Sequence, residues 1–434
     1  MCENRGPVRK RSIFRVLITA FVMLPAMAGF GRSQEPAPRP LLTQADTVFQ
    51  EMSRITGLPI RSPLKKQIIG KAEMAALLKA KLHSELTPAE IAAEEASLKA
   101  FGLVRPDFDL GKFLISFYTE QAAGFYDPQS KTMYIAAWVA PNMQKMVLAH
   151  ELTHALQDQS FNLDRFLRAV EDNDDESNAR QAVAEGYATA AMMQYLIEPV
   201  PIAGMPSLRS FMASALHQNP EQYPVFAGAP FFLRYESLFP YSQGLEFMQQ
   251  GLKLDGWREL NKLFSDPPVN TKEIFDPTLY FQHRPQPAIS LPRPARLSRM
   301  RGLRFVTENT LGELGYYALL GQLMSESEAK KVSPNWAADR YLIFAAAQLN
   351  SFILVSRTEW KSPAVAAEFF QDYRRILAAK YPTLKREPRS GLNLFMGSTS
   401  RGWVILLDQG NECRWVEGIP KGQVKVMVKW LRSL

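Results

Sequence analysis

Residues 150–154 read His-Glu-Leu-Thr-His, and this short run constrains the chain more than any other feature. On a helix, residues four apart lie one turn apart on the same face. His150 and His154 can therefore reach one metal ion while Glu151 stands beside a water on that ion. The flanking sequence supplies the helix. Met143, Met146, Val147 and Leu148 before the pair, and Ala155 and Leu156 after it, keep an apolar face at helical spacing, with no Pro or Gly from Asn142 to Gln159. The chain holds only five histidines, so chance rarely produces such a pair. The layout predicts a zinc hydrolase site. The plainer alternative is a helix whose histidines bond to neighbouring carboxylates.

A catalytic zinc takes three protein ligands and keeps one position open. Two kinds of acidic residue follow. Glu171, Asp172, Asp174, Asp175 and Glu176, with Asn173 and Asn178, form a dense charged cluster. It reads as a solvated loop, with binding of a cation such as Ca²⁺ as the lesser alternative. Glu185 differs, because it interrupts the small, apolar helix Ala182–Met193, where an unpaired carboxylate is costly to bury. A metal relieves that cost, and Gly186 lets a neighbouring helix or the metal site come close. The alternative for Glu185 is pairing with Arg180 or water.

His-Glu-Leu-Thr-His-Ala at 150–155, followed by a second helix with Glu185-Gly186-Tyr187-Ala188, resembles the gluzincin metallopeptidases, the thermolysin-like clan. The resemblance covers roughly residues 120–200. It implies that His150, His154 and Glu185 hold one catalytic Zn²⁺, that Glu151 is the general base, and that the substrate is a peptide or protein. Thirty residues lie between His154 and Glu185, a longer spacing than in thermolysin, with the acidic stretch as the insertion. The chain thus resembles a divergent secreted branch, and no third-histidine pattern follows His154 to suggest a metzincin. In such a site the ion polarises a carbonyl and acidifies water, and Glu151 passes the proton to the leaving amine. Tyr187, His217, Tyr235 and Tyr241 are candidates for an oxyanion donor, and the sequence does not choose among them. Asp158 either orients a ligand or is an exposed helix-end carboxylate. Related secreted proteins carry a Pro-x-Ser-Thr…His-Pro pattern where this chain has Asp276-Pro277, so no histidine role carries over there.

The rest of the chain frames this site. With 434 residues, 46% hydrophobic and 22% charged, it is long enough for two or three domains with sizeable cores. Arg5, Arg9, Lys10, Arg11 and Arg15 stand against Glu3 in residues 1–28, so those residues carry half of the net charge of +8. The remainder does not argue for nucleic acid. An apolar run broken by Pro25 follows the basic stretch and ends in Ala26-Met27-Ala28, which reads as a signal peptide over residues 1–28 and an exported, periplasmic or extracellular protein. An uncleaved membrane anchor is the alternative. Cys2 has no lipobox around it, and Cys413, alone after cleavage, is expected as a buried apolar residue in a strand.

The expected architecture is α+β. A proline-rich spacer (29–40) precedes a mainly helical zinc metallopeptidase-like domain (41–283), with helices over 70–83, 87–101 and 109–122 and a β-hairpin over 124–136. That hairpin either pairs with an extended peptide above the metal or only covers the helix. Residues 203–265 continue helical, and prolines at 285, 287, 292 and 294 mark a linker over 284–300. Residues 301–434 form a smaller α+β domain with a mainly antiparallel sheet. Its strands are expected at 341–344, 351–355, 392–396, 402–407 and 413–417, and its helices at 311–323, 363–380 and 422–431. The last helix sets Lys425, Lys429 and Arg432 against Val424, Val428 and Leu431, a pattern that favours packing on the sheet over contact with a membrane. Three functional classes stay open: an exported zinc peptidase, a zinc-stabilised binding or scaffold protein of the cell envelope, and a non-peptidase amide hydrolase. The intact Glu151 favours the first.

Overall fold

Helices lead the chain, as the periodicity requires. The computed structural model describes residues 38–206, 221, 223–298, 300, 302–346, 351–388 and 390–434; the segment expected as a signal peptide and His217 lie outside them. Helix α1 (Pro38–Thr56) starts inside the expected spacer, because prolines fit a first turn that needs no amide donors. It buries Val48, Phe49, Met52 and Ile55. Strand β1 (Lys65–Ile69) precedes α2 (Lys71–Glu85), α3 (Pro88–Phe101) and α4 (Leu110–Gln121). Thr87 and Glu90 cap α3 reciprocally, and Asp109 caps α4. The hairpin follows as β2 (Gly124–Asp127) and β3 (Thr132–Ala136). The sheet order is β1-β3-β2, with β1 parallel and β2 antiparallel to β3, so β2 is an edge strand. Two lysines in five residues hid β1 from the sequence pattern.

The motif-bearing helix is α5 (Pro141–Phe161), followed by α6 (Leu163–Leu167) and α7 (Asp174–Ile197). The acidic stretch departs from the expected solvated loop. Asp174, Asp175 and Glu176 form the first turn of α7, where the helix dipole favours carboxylates, and the Asn173 side chain caps the Glu176 amide. Asp175 is buried and accepts hydrogen bonds from the Thr271 amide, at 2.9 Å, and its hydroxyl. Gly312, at φ +71°, lies so close to Asp175 that a Cβ there would overlap the carboxylate.

Beyond it come α8 (Pro224–Gly228) and α9 (Phe231–Lys262), which is broken at Asp255-Gly256, then α10 (Thr271–Phe275), α11 (Pro277–Phe281) and α12 (Ala295–Ser298). Residues 284–294 have no regular secondary structure.

The C-terminal part comprises β4 (Leu303–Asn309), α13 (Gly312–Leu323), α14 (Glu326–Val332), β5 (Trp336–Ala346), β6 (Ser351–Trp360), α15 (Pro363–Lys380), β7 (Lys385–Arg386), β8 (Leu394–Thr399), β9 (Gly402–Gln409), β10 (Glu412–Ile419) and α16 (Val424–Ser433). Its seven strands pair antiparallel in the order β4-β5-β6-β10-β9-β8-β7. Trp360 and Trp415 on one face stack against Phe369 and Tyr373 of α15, with ring centroids 4.5 and 4.4 Å apart. That face belongs to a hydrophobic cluster that runs continuously from Ala45 to Trp415. The opposite face packs Ile405, Leu407 and Val416 against Met427 and Leu431 of α16. Cys413 is buried in β10, its thiol donating to the Ala366 carbonyl at 3.1 Å.

Candidate metal centre

Three helices meet at the motif: α5 packs on α7, and α7 packs on α9. The second contact is a backbone crossing. A Cβ on Gly186 would lie 2.5 Å from the Gly244 carbonyl carbon, and one on Gly244 would lie 2.6 Å from the Ala182 oxygen. Only glycine at both positions allows this approach. It falls one residue after Glu185 and brings α9 against α7 beside that carboxylate.

His150, His154 and Glu185 converge at this junction and are fully buried. The two Nε2 atoms are 3.1 Å apart, and Glu185 Oε2 is 3.1 Å from His150 Nε2 and 3.4 Å from His154 Nε2. A tetrahedral zinc with bonds of about 2.0–2.2 Å spaces its ligand atoms about 3.3 Å apart. The trio therefore fits a zinc-sized ion without rearrangement. Arg180 pairs with Glu176 on its own helix and leaves Glu185 to the histidines.

The electrostatics agree with a ligand set. Burial drives His150 down to about 4 and keeps it neutral. Burial also opposes charge on His154, but the adjacent Glu185 carboxylate overrides it and raises His154 to about 9. Burial would raise Glu185, and the charge of His154 instead holds it below its ordinary value. The Glu185 carboxylate thus favours positive charge on His154, in the place where an ion would put its own.

Glu151 is buried beside the trio and outside it. Its Oε2 accepts the Tyr126 amide of β2 at 2.8 Å. The Tyr126 hydroxyl donates to Asp158 Oδ2 at 2.7 Å, and Lys131 of the hairpin donates to the same oxygen at 2.6 Å. Asp158 is accordingly neither an exposed helix end nor a partner of a ligand; it clamps the hairpin onto α5. The residue that does bond to a member of the trio is Gln157, which the sequence pattern does not single out. Its Oε1 lies 2.8 Å from His154 Nδ1, and its Nε2 donates to the Ala184 carbonyl at 3.0 Å. One side chain thereby ties His154 to the backbone beside Glu185. Its position three residues after His154, on the same helical face, was the available signal.

Of the four oxyanion candidates, Tyr241 alone among the described residues stands at the site. Its ring centroid is 6.0 Å from that of His150, and burial together with the Glu185 and Glu151 charges pushes its phenol well above the ordinary value. It remains a hydrogen-bond donor at any physiological pH. Tyr187 donates to Asn261 at 2.7 Å and packs on Trp257 and Phe264, and Tyr235 stacks on Tyr317 at 4.4 Å, so both are structural.

A family model described as an IrrE N-terminal-like domain, of the peptidase M78 type, matches residues 111–196. That span runs from α4 to the end of α7 and holds His150, Glu151, His154 and Glu185. Over that span the chain is similar to a zinc-peptidase-like domain. A second model, a domain of unknown function (DUF8575), matches residues 299–426, nearly the whole seven-stranded region. No curated protein and no solved structure matches the chain.

Proposed function

We propose that this chain is an exported zinc peptidase of gluzincin type, with His150, His154 and Glu185 as ligands and Glu151 as general base. The observation that carries the reading is one buried trio at zinc spacing with a second carboxylate beside it, off the metal and held by a backbone amide. Zinc held there would supply Lewis acidity, polarising a carbonyl and acidifying water. Glu151, oriented by the Tyr126 amide, accepts a proton and returns it to the leaving amine. Tyr241 donates to the oxygen on which negative charge develops. Gln157 keeps His154 Nε2 pointed at the ion.

The burial of all four residues favours a second reading, a zinc-stabilised scaffold of the cell envelope that does not turn over. Glu151→Gln separates the two. For a peptidase, the variant keeps its zinc and its melting temperature but loses at least about a hundredfold in zinc-dependent hydrolysis of an unbiased peptide pool. For a scaffold, wild type hydrolyses nothing in that pool. Export with cleavage after Ala28 rests on the basic, apolar and small-residue order of residues 1–28. Mass spectrometry of the exported protein, finding Met1 still present, would overturn it.

A further inference from the structure

The outer face of the C-terminal sheet carries a feature independent of the metal centre. Helix α16 seats Met427 and Leu431 on the sheet and leaves Lys425, Val426, Lys429 and Arg432 exposed. The three cations recur at i, i+4 and i+7, so they form one stripe along the helix. Lys421 extends the stripe at its start. Lys385, in register with Ser398 on the edge strand, faces the same side as Leu394 and Met396. Among the described residues none of these five cations pairs with a carboxylate. Other cations of the same sheet region do: Arg357 and Arg414 bind Glu412, and Lys380 binds Glu417.

Beside the stripe an apolar groove of about 340 Å³ runs between α16 and strands β8 and β9, floored by Met396, Trp403, Val424 and Val428, with Glu387 as its one acid. The turn that leads into β8 projects Leu392, which is 96% exposed, and Val426 is 42% exposed on α16. Unpaired positive charge beside unburied apolar side chains matches a layer of anionic headgroups over hydrocarbon. Lys421 and Lys425 border the groove, and Lys429 and Arg432 carry the stripe beyond it along the exposed face of the helix, which suits a plane of headgroups better than a single peptide. No described helix is long and apolar enough to cross a membrane.

We propose that the α16 face docks this protein on anionic phospholipid membranes, with Lys421, Lys425, Lys429 and Arg432 over the headgroups and Leu392 and Val426 inserted between them. Co-sedimentation of the full chain with vesicles tests it. The zinc-loaded protein should bind phosphatidylcholine vesicles containing about 30% phosphatidylglycerol, should not bind pure phosphatidylcholine, and should be released at about 0.5 M salt. Lys425→Glu combined with Lys429→Glu should weaken binding at least about thirtyfold, and Leu392→Asp about tenfold. Both variants should keep wild-type melting temperature and zinc content, since neither touches the core or the metal centre. Equal binding to neutral and anionic vesicles, or undiminished binding by the charge-reversed variant, overturns the proposal. So does capture of a glutamate-rich apolar peptide with no vesicle binding, which would make the partner an acidic polypeptide.

Discussion

Replacing Gln157 with Leu should weaken zinc binding by about ten- to a hundredfold, the usual cost of losing the outer partner of a ligating histidine. The direction follows from the polarity of two contacts. The Ala184 carbonyl can only accept, so it takes the amide N–H and turns Oε1 towards His154, 2.8 Å from Nδ1. That oxygen can only accept as well, so Nδ1 carries a proton and Nε2 is left to the metal. Leucine fills similar space but orphans both His154 Nδ1 and the Ala184 carbonyl in a fully buried site. Each orphan costs about 1–3 kcal/mol, so the metal-free protein should also melt lower. Gln157→Glu separates the roles: it keeps an acceptor for His154 but sets a carboxylate against the Ala184 carbonyl, so zinc affinity should recover more than stability. Competition with a fluorescent chelator reads the affinity, and melting in excess chelator reads the stability. A Leu variant with the wild-type zinc Kd would refute the orienting role, and a Glu variant no better than Leu would reduce Gln157 to packing.

Tyr241→Phe should lower kcat by about a hundredfold with zinc content intact, on the scale of one lost oxyanion donor; unchanged turnover would move that role elsewhere. Gly186→Ala should destabilise the fold by about 1–3 kcal/mol and weaken zinc binding, because the methyl group meets the Gly244 backbone; a native melting curve would refute the close crossing. Burial, then the charges of Asp339 and Glu313, raises Asp175 to about 7 in the folded protein. Its contribution to stability is therefore complete below its unfolded value near 4 and is lost as pH rises towards 7. Asp175→Asn cannot ionise yet keeps the acceptor for Thr271, so its stability relative to wild type should grow across that window by up to roughly 4 kcal/mol. A difference that stays flat from pH 4 to 8 in denaturant melts would show that Asp175 ionises in the fold as easily as in the unfolded chain.

The parts of this molecule that were legible in its sequence are those written in local spacing. His150 and His154 are one helical turn apart, Glu185 is a lone carboxylate among alanines, and Gly186 lacks a side chain beside it; each pattern carries its own geometry. The hairpin at 124–136 and the buried thiol of Cys413 were readable for the same reason. What escaped depends on contacts distant in sequence. β1 exists because β3 offers it a parallel neighbour, and its lysine-led residues give no hint of that. β4 was overlooked because its pairing with β5 shifts register between Phe305 and Thr307, which blurs the alternation. The acidic stretch was misplaced because its outcome depends on Thr271 and Gly312, which lie about a hundred residues or more away.

The same distinction governs Glu151. The motif places this carboxylate on the correct face of α5 but says nothing of what holds it, and the holder is an edge strand. Tyr126 gives its amide to Glu151 instead of to a β3 carbonyl, so the outer edge of β2 at that residue is already engaged. Its hydroxyl, with Lys131, is fixed to Asp158 two turns further along α5. The hairpin therefore covers and clamps the helix, and an extended peptide adding to β2 would compete with Glu151 for the Tyr126 amide. In the proposed mechanism Glu151 takes a proton, and its hold on that amide would then weaken, because a neutral carboxyl accepts more weakly than a carboxylate. Proton transfer to Glu151 and loosening of the strand edge would thus pull in the same direction. The proposed base and the strand edge above it share one backbone N–H.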